Sequence, residues 1–161
     1  MKQKYIHYGH VSYHPTWFNE VSSYPYWSKP FGGLWAEREG TEHGYKEYVL
    51  QSGLNANIKR SFTFTLADNA NVIYIETVDD IKNNFKYTMD EDEHDDNGML
   101  NLFKGRYFID FEDAIKNGID AIEITNIGNL YWPLFGWDCN CILVMNKEII
   151  VPDWRNYYFL A

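Results

Sequence analysis

The sequence predicts an α+β fold with a mainly antiparallel β-sheet core and short helices. Two patterns point to this class. Short β-type runs recur along the chain, and the helical segments do not alternate strictly with them, as they would around a parallel sheet. The chain has 161 residues, an ordinary length for one domain, and 45% of them are hydrophobic. Because no linker, repeat or low-complexity stretch divides it, we expect a single domain over residues 1–161.

The strands are predicted from period-two alternation or from β-branched and aromatic runs. Phe62, Phe64 and Leu66 alternate with threonines, which is the pattern of a half-buried strand. A segment rich in Pro, Ser and Tyr, expected to be irregular, runs through Pro30, and a glycine pair then leads into the second strand. The predicted strands cover residues 5–9, 31–36, 62–66, 71–76, 121–124, 130–133 and 141–145.

The helices are predicted from their start and stop residues. Thr41 is a typical N-cap and Gly53 a typical stop, so a helix is expected over residues 41–52. Thr77 precedes a second helix that begins at residue 78. A third helix, over residues 110–118, ends in glycine.

The chain is acidic, with 23 Asp and Glu against 14 Lys and Arg and a formal net charge of −9. No cluster of Lys and Arg is present, which disfavours extended nucleic acid as a partner. No apolar run approaches the roughly 20 residues that span a bilayer, and the first residues lack the apolar segment of a secretory signal. We therefore expect a soluble, cytoplasmic protein.

Two clusters raise the question of a metal. Residues 90–96 are almost all acidic and are expected to form a solvated loop. A calcium site is the alternative there, although the spacing and the closing Glu of an EF-hand loop are absent. Cys139 and Cys141 are expected to be buried free thiols, as free cysteines commonly are. A zinc site is not expected, since the five histidines show no zinc-type spacing. No metal cofactor is predicted.

Three short motifs in the first third of the chain occur in an informative order: His7-Tyr8-Gly9, Gly33-Leu34-Trp35-Ala36 and Tyr45-Lys46-Glu47-Tyr48. In this order they resemble the ADP-ribosyltransferase superfamily, closest to its poly(ADP-ribose) polymerase and diphtheria-toxin branch. That branch has a His-Gly motif on its first strand, a Gly-Ile-Tyr-Phe-Ala second strand, and a nicotinamide-stacking Tyr on the next helix. The resemblance implies a split, mainly antiparallel sheet.

The resemblance also implies that NAD is the substrate and that these motifs hold it. Nicotinamide is a flat ring with an amide, and Trp35 and Tyr48 would supply aromatic faces for it. Gly9 would let the ligand approach the main chain, and His7 would bond a ribose and assist catalysis. The cofactor-binding set implied is His7, Tyr8, Gly9, Gly33, Trp35, Tyr45 and Tyr48.

The catalytic acid of the family is the point at which this sequence departs from the pattern. The family's glutamate precedes a strand of the type Ile-Val-Tyr, and on residues 141–145 that position falls at or near Asn140. Asp138 is the available carboxylate, predicted on the same strand face. Either Asp138 steadies the oxocarbenium-like centre formed when nicotinamide leaves, or the acid is lost and the domain acts by another route.

Each of these residues also has an ordinary structural explanation. His7 could be a strand histidine and Trp35 a core aromatic. Gly33 could only make a turn, and Asp138 could cap the bend that precedes it. The tyrosines of the predicted first helix could pack onto the sheet.

The function predicted is that of an NAD-dependent mono-ADP-ribosyltransferase-like enzyme with an unknown acceptor, for which a protein is one possibility. The alternative is a non-catalytic nucleotide- or protein-binding module on the same fold. A further alternative is an inhibitor or immunity protein whose acidic loop at residues 90–96 occupies a basic partner.

Overall fold

The computed structural model describes residues 1–154, and within them the chain forms eleven strands, four α-helices and two 3-10 turns. The strands are β1 Tyr5–Tyr8, β2 Ser22–Tyr24, β3 Trp27–Phe31, β4 Leu34–Arg38, β5 Ser61–Leu66, β6 Val72–Ile75, β7 Tyr87–Met89, β8 Tyr107–Ile109, β9 Ala121–Ile124, β10 Cys141–Val144 and β11 Ile150–Pro152. The helices are α1 Tyr45–Ser52, α2 Val78–Asn84, α3 Phe111–Lys116 and α4 Ile127–Leu130, and the 3-10 turns are Pro15–Trp17 and Lys147–Ile149.

Seven strands form one hydrogen-bonded sheet in the order β11-β5-β1-β4-β10-β9-β6. Its neighbours are antiparallel except for β6 and β9, which are parallel. β2–β3 and β7–β8 form separate two-stranded ribbons. The predicted α+β class with a mainly antiparallel sheet is confirmed. The expected split of the sheet is seen only along β4. The first three residues of β4 pair with β10 and the last two pair with β1, so all seven strands stay in one sheet.

The sheet carries a hydrophobic cluster on each face. One cluster contains Ile122, Leu143 and Trp137, and the other contains Phe64 and Ile142. All four residues of β9 and all four of β10 are buried, because both faces of these central strands are covered. The centre of the sheet is therefore a rigid support for the side chains around β1 and β4.

Two segments differ from their predicted secondary structure. The segment before residue 31, expected to be irregular, contains the β2–β3 hairpin. In β3 the small or cyclic Ser28 and Pro30 face inward while the aromatic residues and Lys29 face outward, the reverse of the usual strand pattern. Residues 130–133, predicted as a strand, lie at the end of α4 and in the turn after it. Leu130 and Leu134 are both fully buried, and their spacing of four residues is helical.

The first predicted helix begins later than expected. The helix predicted to start at Thr41 starts at Tyr45, because His43 has a left-handed φ of 55° and Gly44 becomes the N-cap. Its predicted stop at Gly53 is confirmed by a left-handed φ of 69°. None of the helices within residues 1–154 is long and apolar enough to cross a bilayer.

Candidate functional site

The sheet opens beside Trp35. β1 and β4 pair only at Tyr5–Arg38 and Ile6–Glu37, whereas β10 takes over as the partner of β4 at Trp35 and its two neighbours. A cavity of about 270 Å³ lies where β1 and β4 separate, with α1 and the segment before β10 completing its wall. Six of the residues predicted from the sequence line it: His7, Tyr8, Trp35, Tyr45, Tyr48 and Asp138.

The side chain of His7 bridges the gap between β1 and β4. Its Nδ1 lies 2.7 Å from the carbonyl oxygen of Trp35, and its Nε2 lies 3.0 Å from Nδ1 of His10. Because a carbonyl oxygen only accepts hydrogen bonds, the His7 Nδ1–H is the donor. Burial lowers the pKa of His7 below its ordinary value of 6.5, so the ring is neutral near neutral pH. Neutral His7 then accepts a hydrogen bond from His10 through Nε2.

Hydrogen bonds from the indole N–H groups fix the rings of Trp35 and Trp137, which form part of the cavity wall. The Trp35 and Trp137 rings meet edge to face, with centroids 4.8 Å apart. The Trp35 Nε1–H donates to the Gly32 carbonyl at 3.1 Å, and the Trp137 Nε1–H donates to the Ser28 carbonyl at 3.0 Å. With their indole N–H groups engaged, both rings present carbon faces and edges to the cavity.

Tyr45 and Tyr48 reach the cavity from the first turn of α1. They are three residues apart on one face of the helix, and both are half-buried. The Tyr45 ring centroid lies 6.2 Å from that of Tyr8 on the facing strand. The charge of Asp138, and then burial, raise the pKa of Tyr48, so its hydroxyl stays a neutral hydrogen-bond donor.

Asp138 is in an uncommon backbone conformation. Its φ of 61° is left-handed, which costs roughly 1–2 kcal/mol for most side chains and is best tolerated by Asn and Asp. Its carboxylate lines the cavity and is half-buried, yet no side chain or main-chain group of residues 1–154 bonds to it. An unpaired acid held in a strained turn at a cavity wall is the kind of residue that function retains.

Sequence reasoning missed two charged residues of the cavity, Glu37 and Lys29. Glu37 is only 7% exposed; it accepts from the Tyr8 hydroxyl at 3.0 Å and from the Lys46 N–H at 3.1 Å. Its position two residues after Trp35 on one strand placed it on the same face, which was the available signal. Lys29 could not be found, because its strand was not recognised.

The Lys29 ammonium lies 4.7 Å from the centroid of the Trp35 ring. Cys139 and Cys141 are both free and buried, as predicted, and both line the cavity. The hydrogen bond between them, and then burial, raise the pKa of the Cys141 thiol well above its ordinary value, so it is not a thiolate.

Two of the predicted site residues, Gly9 and Gly33, do not line the cavity. The Gly9 N–H donates to the Arg60 carbonyl at 2.8 Å, so it is already engaged. Gly33 directly precedes β4, and a Cβ atom there would lie 2.8 Å from the Val144 carbonyl oxygen. Its absent side chain allows β4 to approach β10 closely.

Asn140 is a structural residue. Its Oδ1 accepts from the Ile127 N–H at 2.8 Å, and its Nδ2 donates to the Glu42 carbonyl at 3.0 Å. The prediction that Asp138 and Asn140 share a strand face is wrong. β10 begins only at Cys141, and the left-handed turn at Asp138 directs that residue into the cavity while Asn140 joins α4 to the loop before α1.

Within residues 1–154, no group of three or more His, Cys, Asp or Glu side chains is placed to hold a metal ion. Comparison of the chain with protein families, curated proteins and solved structures found no match.

Proposed function

We propose that this protein binds the nicotinamide end of NAD in the cavity beside Trp35 and cleaves the bond between nicotinamide and ribose, in the manner of a mono-ADP-ribosyltransferase. The observation that carries the proposal is the unpaired carboxylate of Asp138 in the wall of an aromatic cavity. The acceptor of the ADP-ribose is open, and a protein side chain is one possibility.

The lining of the cavity suits a flat cation. Tyr8, Trp35, Tyr45 and Tyr48 offer aromatic surfaces, and two carboxylates, Asp138 and Glu37, lie among them. Aromatic faces attract organic cations, and a carboxylate in the same wall adds to that attraction. The nicotinamide ring of NAD is positively charged before cleavage and neutral afterwards, so such a cavity favours the substrate over the released product.

The volume of the cavity limits how much of the dinucleotide it holds. At about 270 Å³ it lies just below the roughly 300–1,000 Å³ of typical small-molecule sites. Nicotinamide and its ribose are the parts that fit, and the pyrophosphate would extend outside. Lys29 is exposed, lines the cavity and forms no ion pair with a carboxylate of residues 1–154, so its ammonium is available for a phosphate.

The proposed reaction needs no redox partner. The C–N bond between the ribose and nicotinamide breaks, and its electron pair moves to the nicotinamide nitrogen and neutralises the ring. The anomeric carbon becomes oxocarbenium-like, and the Asp138 carboxylate stabilises that positive charge. An acceptor oxygen or nitrogen, or water, then bonds to this carbon and releases a proton. Neutral His7 adds no positive charge beside this carbon, and its two ring nitrogens bond to the Trp35 carbonyl and to His10.

A non-catalytic binding module is the second candidate, and two observations favour it. The position that resembles the family's glutamate is Asn140, whose side-chain amide is fully engaged in holding α4 and the loop before α1. The N–H of Gly9, expected to meet the nicotinamide amide, already bonds to Arg60.

Nicotinamide release separates the two candidates. Purified protein is incubated with NAD, and free nicotinamide is quantified by chromatography for the wild type, for Asp138→Asn and for the exposed control Asp79→Asn. Release by the wild type and the control, with a loss of about a hundredfold or more in Asp138→Asn, supports the transferase. If the wild type releases none while NAD still raises its melting temperature, the protein is a nucleotide-binding module. If neither occurs, both the transferase and a module that binds NAD are refuted.

A further inference from the structure

A second and larger concavity, of about 690 Å³, lies between the two ribbons of the fold. Its walls are the tip of the β2–β3 ribbon at residues 23–26, the whole of β7 with the residues on either side of it, and part of β8 with residues near it. We call it the ribbon groove. It shares no lining residue with the cavity beside Trp35, so it is a separate site.

The ribbon groove has exposed aromatic anchors. Tyr26 is 72% exposed and lies with its ring centroid 5.7 Å from that of Phe103. Its φ of 67° is left-handed, a conformation that a large aromatic residue seldom adopts. Tyr24, at the same ribbon tip, is 44% exposed. A strained turn thus presents an aromatic ring to solvent at the edge of a groove, which is typical of a binding surface.

The groove is negatively charged. Asp90, Asp110 and Glu112 are among its lining residues, and Lys86, the one cation among them, is paired with Asp110 at 3.2 Å. The acidic loop continues directly from the groove, with six acidic residues between positions 90 and 96. Within that loop Glu93 alone is paired with a lysine of the described chain, Lys104 at 3.1 Å. A partner bound here meets a strongly anionic rim.

β7 also offers main-chain groups. It pairs with β8 on one side only, and no main-chain hydrogen bond from elsewhere in residues 1–154 reaches Tyr87–Met89. An extended peptide can add to such an edge, with main-chain hydrogen bonds giving affinity and side-chain contacts giving specificity.

We propose that the ribbon groove binds an extended, basic peptide segment of a partner protein. The peptide pairs with β7, its Lys or Arg side chains face the acidic loop, and an apolar side chain packs between Tyr26 and Phe103. A nucleic acid is the wrong occupant, because its phosphates would be repelled by the same acids. This site is independent of NAD and does not rest on the function proposed above.

The probe is a fluorescein-labelled peptide of alternating lysine and valine, with fluorescence anisotropy as the readout. One variant, Glu91→Gln/Asp92→Asn/Asp96→Asn, removes three loop charges that make no side-chain hydrogen bond within residues 1–154. Its matched control, Glu39→Gln/Asp79→Asn/Glu148→Gln, removes three exposed charges elsewhere. A second variant, Tyr26→Gly, removes the ring and suits the left-handed backbone.

The loop variant is expected to weaken peptide binding about tenfold and Tyr26→Gly roughly fivefold, while the matched control stays near wild type. Asp138→Asn, which affects only the other cavity, is expected to leave peptide binding unchanged. The proposal is overturned if the lysine–valine peptide does not bind. It is also overturned if a glutamate–valine peptide or a single-stranded oligonucleotide binds as tightly as the lysine–valine peptide. Equal weakening by the matched control, or no effect of Tyr26→Gly, also overturns it.

Discussion

The Nδ1–H of His7 donates to the carbonyl of Trp35 across 2.7 Å, at the place where β1 and β4 stop pairing. A side chain thus replaces the main-chain hydrogen bond that would have continued the ladder. The His7 ring also lies against Phe62, with centroids 5.0 Å apart, which fixes its orientation. This contact joins the two strands across the gap and fixes the Nδ1–H tautomer of His7, while burial lowers the pKa of the ring.

The lowered pKa of His7 makes stability depend on pH. The unfolded chain takes up a proton as the pH falls through about 6.5, whereas folded His7 does not until a lower pH. The unfolded state therefore binds more protons in this window, and stability falls with falling pH. His7→Asn keeps a donor for the Trp35 carbonyl without a titrating ring, so its melting temperature is expected to change less than that of the wild type between about pH 7 and pH 5. An equal change in both proteins would contradict a lowered pKa of His7 in the folded state.

Glu37 is expected to contribute to stability through Tyr8 and α1. Its two oxygens accept from the Tyr8 hydroxyl and from an N–H in the first turn of α1, and removal leaves both donors without these partners. Glu37→Ala should lower the free energy of unfolding by about 1–3 kcal/mol, measured by urea denaturation. Glu39→Ala, at an exposed position just after β4, is the control and should change it by less than about 0.5 kcal/mol. Similar losses in both variants would refute this role.

Gly33 tests the close approach of β4 and β10. In Gly33→Ala the new Cβ meets the Val144 carbonyl oxygen and the Val21 side chain, each at 2.8 Å, on a backbone with φ of 71°. Gly40→Ala has a similar φ of 76° but open space around the new Cβ, so it measures the backbone cost alone. We expect Gly40→Ala to cost about 1 kcal/mol and Gly33→Ala at least about twice that in a denaturation titration. Equal costs would mean that the close contacts around Gly33 add nothing to the destabilisation caused by the backbone.

The left-handed turn at Asp138 predicts an order of stabilities. Asn and Gly tolerate its φ of 61°, so Asp138→Asn and Asp138→Gly should match or exceed the wild-type melting temperature. Asp138→Ala should be less stable than Asp138→Asn by about 1 kcal/mol. If Asp138→Asn and Asp138→Gly were both clearly less stable than the wild type, the carboxylate itself would contribute to stability, which would weaken the case for a functional role.

The sequence predicted β5 from its period-two pattern at Phe62 and Phe64, and it predicted β9 and β10 from apolar runs whose residues are all buried. It did not predict β3, because Ser28 and Pro30 are its inward residues, and it missed the helical spacing of Leu130 and Leu134. Five residues that line the cavity were predicted from motif order: His7, Tyr8, Trp35, Tyr45 and Tyr48. Glu37 and Lys29 were not predicted: the position of Glu37 two residues after Trp35 on β4 was overlooked, and Lys29 lies on β3, which was not recognised as a strand. Asp138 also lines the cavity, but it does not share a strand face with Asn140 as predicted, since the left-handed residue Asp138 lies before β10 begins.

The preference of the cavity for a flat cation can be measured without any cleavage of NAD. 1-Methylnicotinamide and nicotinamide have nearly the same size, but only the first is charged, and neither has a ribose bond to cleave. Each is titrated calorimetrically into the wild type and into Asp138→Asn. We expect 1-methylnicotinamide to bind the wild type about tenfold more tightly than nicotinamide, and Asp138→Asn to remove that preference. Equal affinities in the wild type, or a preference that survives in Asp138→Asn, would contradict a cation site built around Asp138.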